Sequence, residues 1–136
     1  MSLADTMLGH KVLVVEDEYM IARDLSETLE NAGVRVIGPV ATLDAAMALL
    51  SRHDDIAGAV LDVKLRGGAV YPLAEALRLR GVPFVLATGY DLEAIAPAFR
   101  DAIHCEKPVD ASVVVRRLME RIDGLGAKAM PNPSLI

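Results

Sequence analysis

Four short apolar runs in this chain stop at polar residues of a restricted kind, with helical patterns between them. Val12-Leu13-Val14-Val15 runs directly into Glu16-Asp17-Glu18. Ala59-Val60-Leu61 ends at Asp62, Phe84 to Ala87 ends at Thr88, and Ala102 to Cys105 stops just short of Lys107-Pro108. Short β-branched runs that alternate with helical stretches build a parallel sheet flanked by helices. In an open sheet of that kind, ligands and chemistry gather beyond the carboxyl ends of the strands. Carboxylates, a hydroxyl and one lysine at that edge describe a site for a divalent cation and a phosphoryl group.

The elements follow in order. Lys11 to Val15 is a first strand, followed by a helix with Ile21, Leu25, Thr28, Leu29 and Ala32 along one face, stopped by Gly33. Arg35 to Val40 is a second strand, and Thr42 or Asp44 caps a helix through Ala45, Ala46, Leu49 and Leu50. Gly58 to Asp62 is a third strand, Lys64 to Gly68 a loop, and Tyr71 to Arg80 a helix with Leu73, Ala76 and Leu77 inward. Phe84 to Ala87 is a fourth strand, Asp91 to Ala96 a short helix cut off by Pro97, and Ala102 to Cys105 a fifth strand. Asp110 caps a last helix with the stripe Val114, Leu118, Ile122 and Leu125. The expected architecture is α/β, with five strands and five helices joined by right-handed connections.

At 136 residues and 53% apolar content, the chain suits one folded domain. The expected organisation is an N-terminal extension over 1–9, a domain over 10–124 and a flexible tail over 125–136. Met1-Ser2-Leu3 reads as an expression scar. A net charge of −5 argues against nucleic acid or an anionic membrane as a direct partner. Cys105 is the single cysteine, so no internal disulfide forms, and it reads as a small core residue. His10 and His53 are isolated and read as surface residues. The chain shows no secretory pattern and no long apolar stretch, so a cytoplasmic location is expected.

Each polar residue alone has a plainer reading. Acids at a helix start favour the dipole, and a strand-end aspartate or threonine is a common turn residue. The ordered set is more specific. Glu16-Asp17, Asp62, Thr88-Gly89 and Lys107-Pro108 together resemble the receiver domain of two-component response regulators, over roughly Lys11 to Gly124. The resemblance implies a flavodoxin-like, doubly wound sheet of strand order 2-1-3-4-5. It implies that Asp62 accepts a phosphoryl group from a histidine kinase or histidine phosphotransfer protein. Magnesium would be held by Asp17, Asp62 and the backbone carbonyl of Lys64, with Glu16 acting mainly through bound water. Thr88 and Lys107 would bind phosphoryl oxygens, Gly89 would leave room beside them, and the Lys107–Pro108 bond would be cis. The chain would then be a phosphoryl acceptor rather than an enzyme, with at most self-phosphorylation and autodephosphorylation. It would signal through contacts with a downstream protein. Its first helix resembles the surface that receivers offer to kinases. Arg116, Arg117 and Arg121 lie beside the face on which receivers pair, so a homodimer is a further expectation.

The chain also departs from the family pattern. His104 occupies the position, three residues before Lys107, where receivers usually carry an aromatic switch. Leu86-Ala87-Thr88-Gly89-Tyr90 looks like the Phe-Ala-Thr-Gly segment of a receiver subclass often found as stand-alone proteins, with Leu86 replacing the Phe. The expectation is that Tyr90 and the helix after it carry the conformational change. Three other functions compete with this one. A haloacid-dehalogenase-type phosphatase needs Asp-x-Asp, and Tyr19 stands where its second acid belongs. A flavodoxin needs a hydroxyl- and glycine-rich phosphate loop, which Glu16-Asp17-Glu18 would repel. A receiver-like binding module that works without phosphorylation fits the His104 departure.

Overall fold

The computed structural model describes residues 9–65, 68–89 and 95–129. Strand β1 (Lys11–Val15), helix α1 (Tyr19–Asn31), β2 (Arg35–Val40), α2 (Leu43–Arg52) and β3 (Ile56–Asp62) come first. A two-residue ribbon, β4 (Lys64–Leu65) with β5 (Gly68–Ala69), precedes α3 (Tyr71–Leu79). Then come β6 (Phe84–Thr88), a 3-10 turn over Pro97–Phe99, β7 (Ile103–Glu106) and α4 (Ala111–Ala129). The main sheet is parallel throughout, in the order β2-β1-β3-β6-β7. With the ribbon set aside, that is the anticipated 2-1-3-4-5.

The central strands are apolar on both faces because helices cover both. Leu13, Val15, Leu61 and Leu86 pack with Ala46 and Leu50 of α2 and Leu73, Ala74 and Leu77 of α3. The alternate residues Val12, Val14, Val60 and Val85 pack with Leu25 and Leu29 of α1 and Val114, Leu118 and Met119 of α4. Thr42 caps α2 through its hydroxyl, which accepts the Ala45 N–H at 3.2 Å. Asp110 caps α4, its carboxylate accepting the Ser112 N–H at 3.0 Å. Gly33 ends α1 at φ 86°, so that the N–H groups of Gly33 and Val34 return to the carbonyls of Glu30 and Leu29.

Several expectations change. Residues 90–94, which hold Tyr90 and most of the helix expected over Asp91 to Ala96, lie outside the described residues, as does Met1-Ser2-Leu3. Ala96 is extended, at φ −52° and ψ 136°, as the ring of Pro97 requires of its predecessor. The described residues therefore carry four α-helices and a 3-10 turn. The loop expected over Lys64 to Gly68 is an antiparallel ribbon pairing Lys64 with Ala69. Helix α4 runs past Gly124 to Ala129, beyond the boundary expected at 124/125. An interior glycine costs a helix only about 1 kcal/mol, and the Ala-Lys-Ala that follows favours continuation. Residues 130–136 and the side chain of Leu125 are not among those described. No helix of the described residues is long and apolar enough to cross a membrane.

Two local devices shape the sheet edge. Leu13 pairs with Ile37 but Val15 pairs with Val40, so β2 holds one extra residue opposite Val14. Gly38 sits in that bulge at φ 99°. The bulge delivers the Val40 carbonyl to the Glu16 N–H at 2.9 Å. The second device ties the connection before β7 to α3. Ala96 N–H donates to the Tyr71 hydroxyl at 2.9 Å, and Arg78 donates to the Ala98 carbonyl at 2.7 Å. The Phe99 ring stacks on Tyr71 at 5.3 Å, and the Arg78 guanidinium lies 4.4 Å from its centre.

A Cβ at Gly38 would lie 2.9 Å from the Val14 carbonyl oxygen and 3.0 Å from the Val40 nitrogen, both unyielding backbone atoms. Gly38→Ala should lower stability by about 2–4 kcal/mol in urea unfolding. Gly89→Ala, where a Cβ meets nothing within 4 Å among the described residues, should stay within about 0.5 kcal/mol of wild type.

Candidate functional site

Parallel register makes β1, β3, β6 and β7 end at one edge. Asp62 closes β3 opposite Ala87, Thr88 closes β6 opposite Glu106, and the Lys107 N–H then donates to the Thr88 carbonyl at 2.7 Å. Glu16 and Asp62 are each only 4% exposed and Thr88 1%, an unusual burial for acids. The helices on both faces bring apolar cover up to the strand ends, so these side chains leave water with their backbones.

Lys107 reaches back over the edge. Its ammonium lies 3.1 Å from Asp62 Oδ2, 3.2 Å from Glu16 Oε1 and 3.8 Å from Glu18 Oε2. Asp62 Oδ1 accepts the Lys64 N–H at 3.2 Å, and Glu16 Oε2 accepts the Glu18 N–H at 3.0 Å. Carboxylate oxygens of Glu16, Asp17 and Asp62 lie within 4.8 Å of one another. Glu16 Oε1 is buried near the ammonium but accepts no hydrogen bond among the described residues. Burial, and then the neighbouring Asp62, push the Glu16 carboxyl up to about 7 despite the nearby Lys107. Burial pulls the Lys107 ammonium down, but its bonds to Asp62 and Glu16 outweigh that and raise it above its usual range. Clustered hard oxygens, excess negative charge and one oxygen without a hydrogen-bond partner fit a hard divalent cation, and this cluster could hold one.

The structure thus brings together Glu16, Asp17, Asp62 and Lys107, with Thr88 on the adjoining strand end. Lys64 opens the ribbon next to Asp62, and its backbone N–H holds Asp62 in orientation. Gly89 is exposed, and a Cβ there would meet no atom of the described residues within 4 Å. The Lys107–Pro108 peptide is cis. His104 stands apart from the acidic cluster. It pairs with Leu86 in the sheet, its Nδ1 lies 3.3 Å from the Ala102 carbonyl, and its own carbonyl accepts from Arg117 at 2.9 Å. Cys105 is half-buried against the α1–α4 layer, with Sγ 3.5 Å from Arg117. A cavity of about 560 Å³ lined by Asp54, Ile56, Arg80 and Ile122 opens at the amino-terminal edge of the sheet, away from this chemistry.

The sequence reading missed two features. It grouped Glu18 with the acids but did not foresee its approach to Lys107. The acidic triplet carried that signal, since the residue capping a helix after β1 must sit at the same edge. The Tyr71–Phe99–Arg78 clamp also went unforeseen. Tyr71 and Arg78 lie two helical turns apart on one face of α3, which is the available clue.

No family model matches the chain. It is 30% identical over 101 residues to the transcriptional regulatory protein PdtaR of Mycobacterium tuberculosis, a match that covers 73% of this chain and 48% of that protein. The chain therefore spans about half the length of the curated relatives it matches. Among solved structures it is similar to SdrG from Sphingomonas melonis Fr1, at 36% identity, with 90% of this chain and 98% of that one covered and a TM-score of 0.72. A beryllofluoride-activated conformation of SdrG matches at 35% identity, covering 89% of this chain and 97% of that one, with a TM-score of 0.67. A CheY-like response regulator receiver domain protein from Methanospirillum hungatei matches at 25% identity, covering 89% and 99%, with a TM-score of 0.77.

The raised Glu16 carboxyl ties stability to pH. The folded chain holds this proton until about pH 7, and the ordinary carboxyl value is 4.5. The protonated group therefore favours the fold below about 4.5, and that advantage is lost as pH rises through 7. Glu16→Gln mimics the protonated form. In chelator-containing buffer at pH 7.5 it should be about 1–3 kcal/mol more stable than wild type by urea unfolding, with the gap closing toward pH 5. A variant less stable than wild type at pH 7.5 would contradict this electrostatic picture.

Proposed function

This chain belongs to the response regulator receiver family, and on that premise we propose that it accepts a phosphoryl group on Asp62 from a histidine kinase or histidine phosphotransfer protein. The observation that carries this reading is the Lys107 ammonium 3.1 Å from the Asp62 carboxylate, inside a cleft crowded with further acid. A salt bridge alone would not need three carboxylates around it. Attack by an Asp62 oxygen on phosphorus breaks the bond to the donor, whose departing atom takes the electron pair. The Lys64 N–H holds Asp62 Oδ1, and Oδ2, which now faces the Lys107 ammonium, is the oxygen that attacks as that ammonium turns to the incoming group. Lys107 then exchanges a carboxylate for a phosphoryl oxygen, and the Thr88 hydroxyl hydrogen-bonds another.

Magnesium suits the acidic set. Asp17, Asp62 and the Lys64 carbonyl would hold it, with Glu16 acting through water. When bound, it neutralises charge on the carboxylates and the phosphoryl oxygens. The added charge on Asp62 shifts the surface around β6 and β7, which a downstream protein reads. In this reading the chain is a cytoplasmic phosphoryl acceptor and not an enzyme acting on a separate product. The beryllofluoride-activated form of SdrG supports it by similarity. A second reading, a binding module independent of phosphorylation, draws on His104, which stands where receivers usually place an aromatic switch.

Incubation with acetyl phosphate and magnesium should add one phosphoryl group by intact mass, and Asp62→Asn should abolish the gain. A wild-type chain that never gains mass favours the second reading. Magnesium alone should raise the melting temperature of wild type. It should do so much less in Asp17→Asn, and an equal rise in both would remove Asp17 from the cation site.

A further inference from the structure

Glu18 is the acid that the reaction above does not use. It occupies the N-cap position of α1, yet its side chain makes no capping hydrogen bond. Its carboxylate is aimed instead at the Lys107 ammonium, 3.8 Å away. The other two carboxylates on that ammonium are buried, with side chains 1% and 5% exposed for Glu16 and Asp62, whereas that of Glu18 is 62% exposed. Glu18 therefore lies on the solvent side of the cation that a phosphoryl group must reach. A charge at such a rim acts on arriving ligands through the field it creates, more than on the buried chemistry.

We propose that Glu18 is a specificity-determining residue for the phosphoryl donor, biasing Asp62 toward donors whose leaving group carries positive charge. This rests on the reading of Asp62 as phosphoryl acceptor. A fully anionic acyl phosphate meets the Glu18 charge as repulsion, and must also draw Lys107 from a carboxylate it already faces. A donor with a protonated nitrogen on phosphorus brings a compensating charge to the same place. Both donors react alike at phosphorus: the Asp62 oxygen forms the new bond, and the old bond breaks with its electron pair leaving on the donor atom. Acetyl phosphate releases acetate, and phosphoramidate, already protonated on nitrogen, releases ammonia.

The test compares acetyl phosphate and phosphoramidate as donors, following intact mass over time at saturating magnesium. Wild type, Glu18→Gln and Glu27→Gln are used. Glu27 is an exposed α1 acid paired with Arg23, so its variant changes net charge equally without touching Lys107. Glu18→Gln should lower the ratio of the phosphoramidate rate to the acetyl phosphate rate by roughly threefold to tenfold at low ionic strength, the change shrinking as salt is added. Glu27→Gln should leave the ratio unchanged. A ratio unchanged or raised in Glu18→Gln overturns the proposal, as does an equal fall in Glu27→Gln. Phosphorylation of wild type by neither donor would instead overturn the reading of Asp62, and this proposal with it.

Discussion

One ammonium group balances the loaded edge of this sheet. Lys107 lies within 4 Å of three carboxylates, two of them nearly inaccessible to water. Buried like charges are costly, and a single cation offsets them only in part. The pressure that remains shows in Glu16, which keeps its proton to about pH 7 and has an oxygen without a hydrogen bond. The imbalance suits a second positive charge beside Asp62, which the Lys64 N–H and Lys107 already hold.

The fold produces that tension by geometry. Parallel register brings four strands to one level, and the β2 bulge at Gly38 turns the Val40 carbonyl onto the Glu16 N–H. The helices then carry apolar cover up to the strand ends. On the far side of the site, Tyr71 and Arg78 tie the segment 96–101 to α3. The last part of the connection between β6 and β7 thus rests on the helix that follows Asp62.

Much of this was legible in the sequence, for reasons tied to particular residues. Strands buried on both faces read as unbroken apolar runs, so Val12–Val15 and Ala59–Leu61 could be found without structure, and their closing residues marked the edge. Thr42, Asp110 and Gly33 showed where helices begin and end, because capping is local chemistry. Features set by tertiary contact were not legible. The Lys64–Ala69 ribbon has too few residues for a period. Gly124 suggested a stop, but propensity is weak and α4 continues to Ala129. The bulge depends on what faces Gly38, and the place of Glu18 beside Lys107 depends on a side chain 89 residues away.

The central claim is that one acidic cleft accommodates a divalent cation and a phosphoryl group on Asp62 together. Fluorine NMR of the chain with beryllofluoride tests it most directly, since this phosphoryl mimic binds a carboxylate without a donor's reactivity. Protein-bound resonances distinct from the free species should emerge only with magnesium present, and should be lost in Asp62→Asn. Bound resonances that persist without magnesium or without the Asp62 carboxylate, or their absence from the wild-type chain, would contradict the claim.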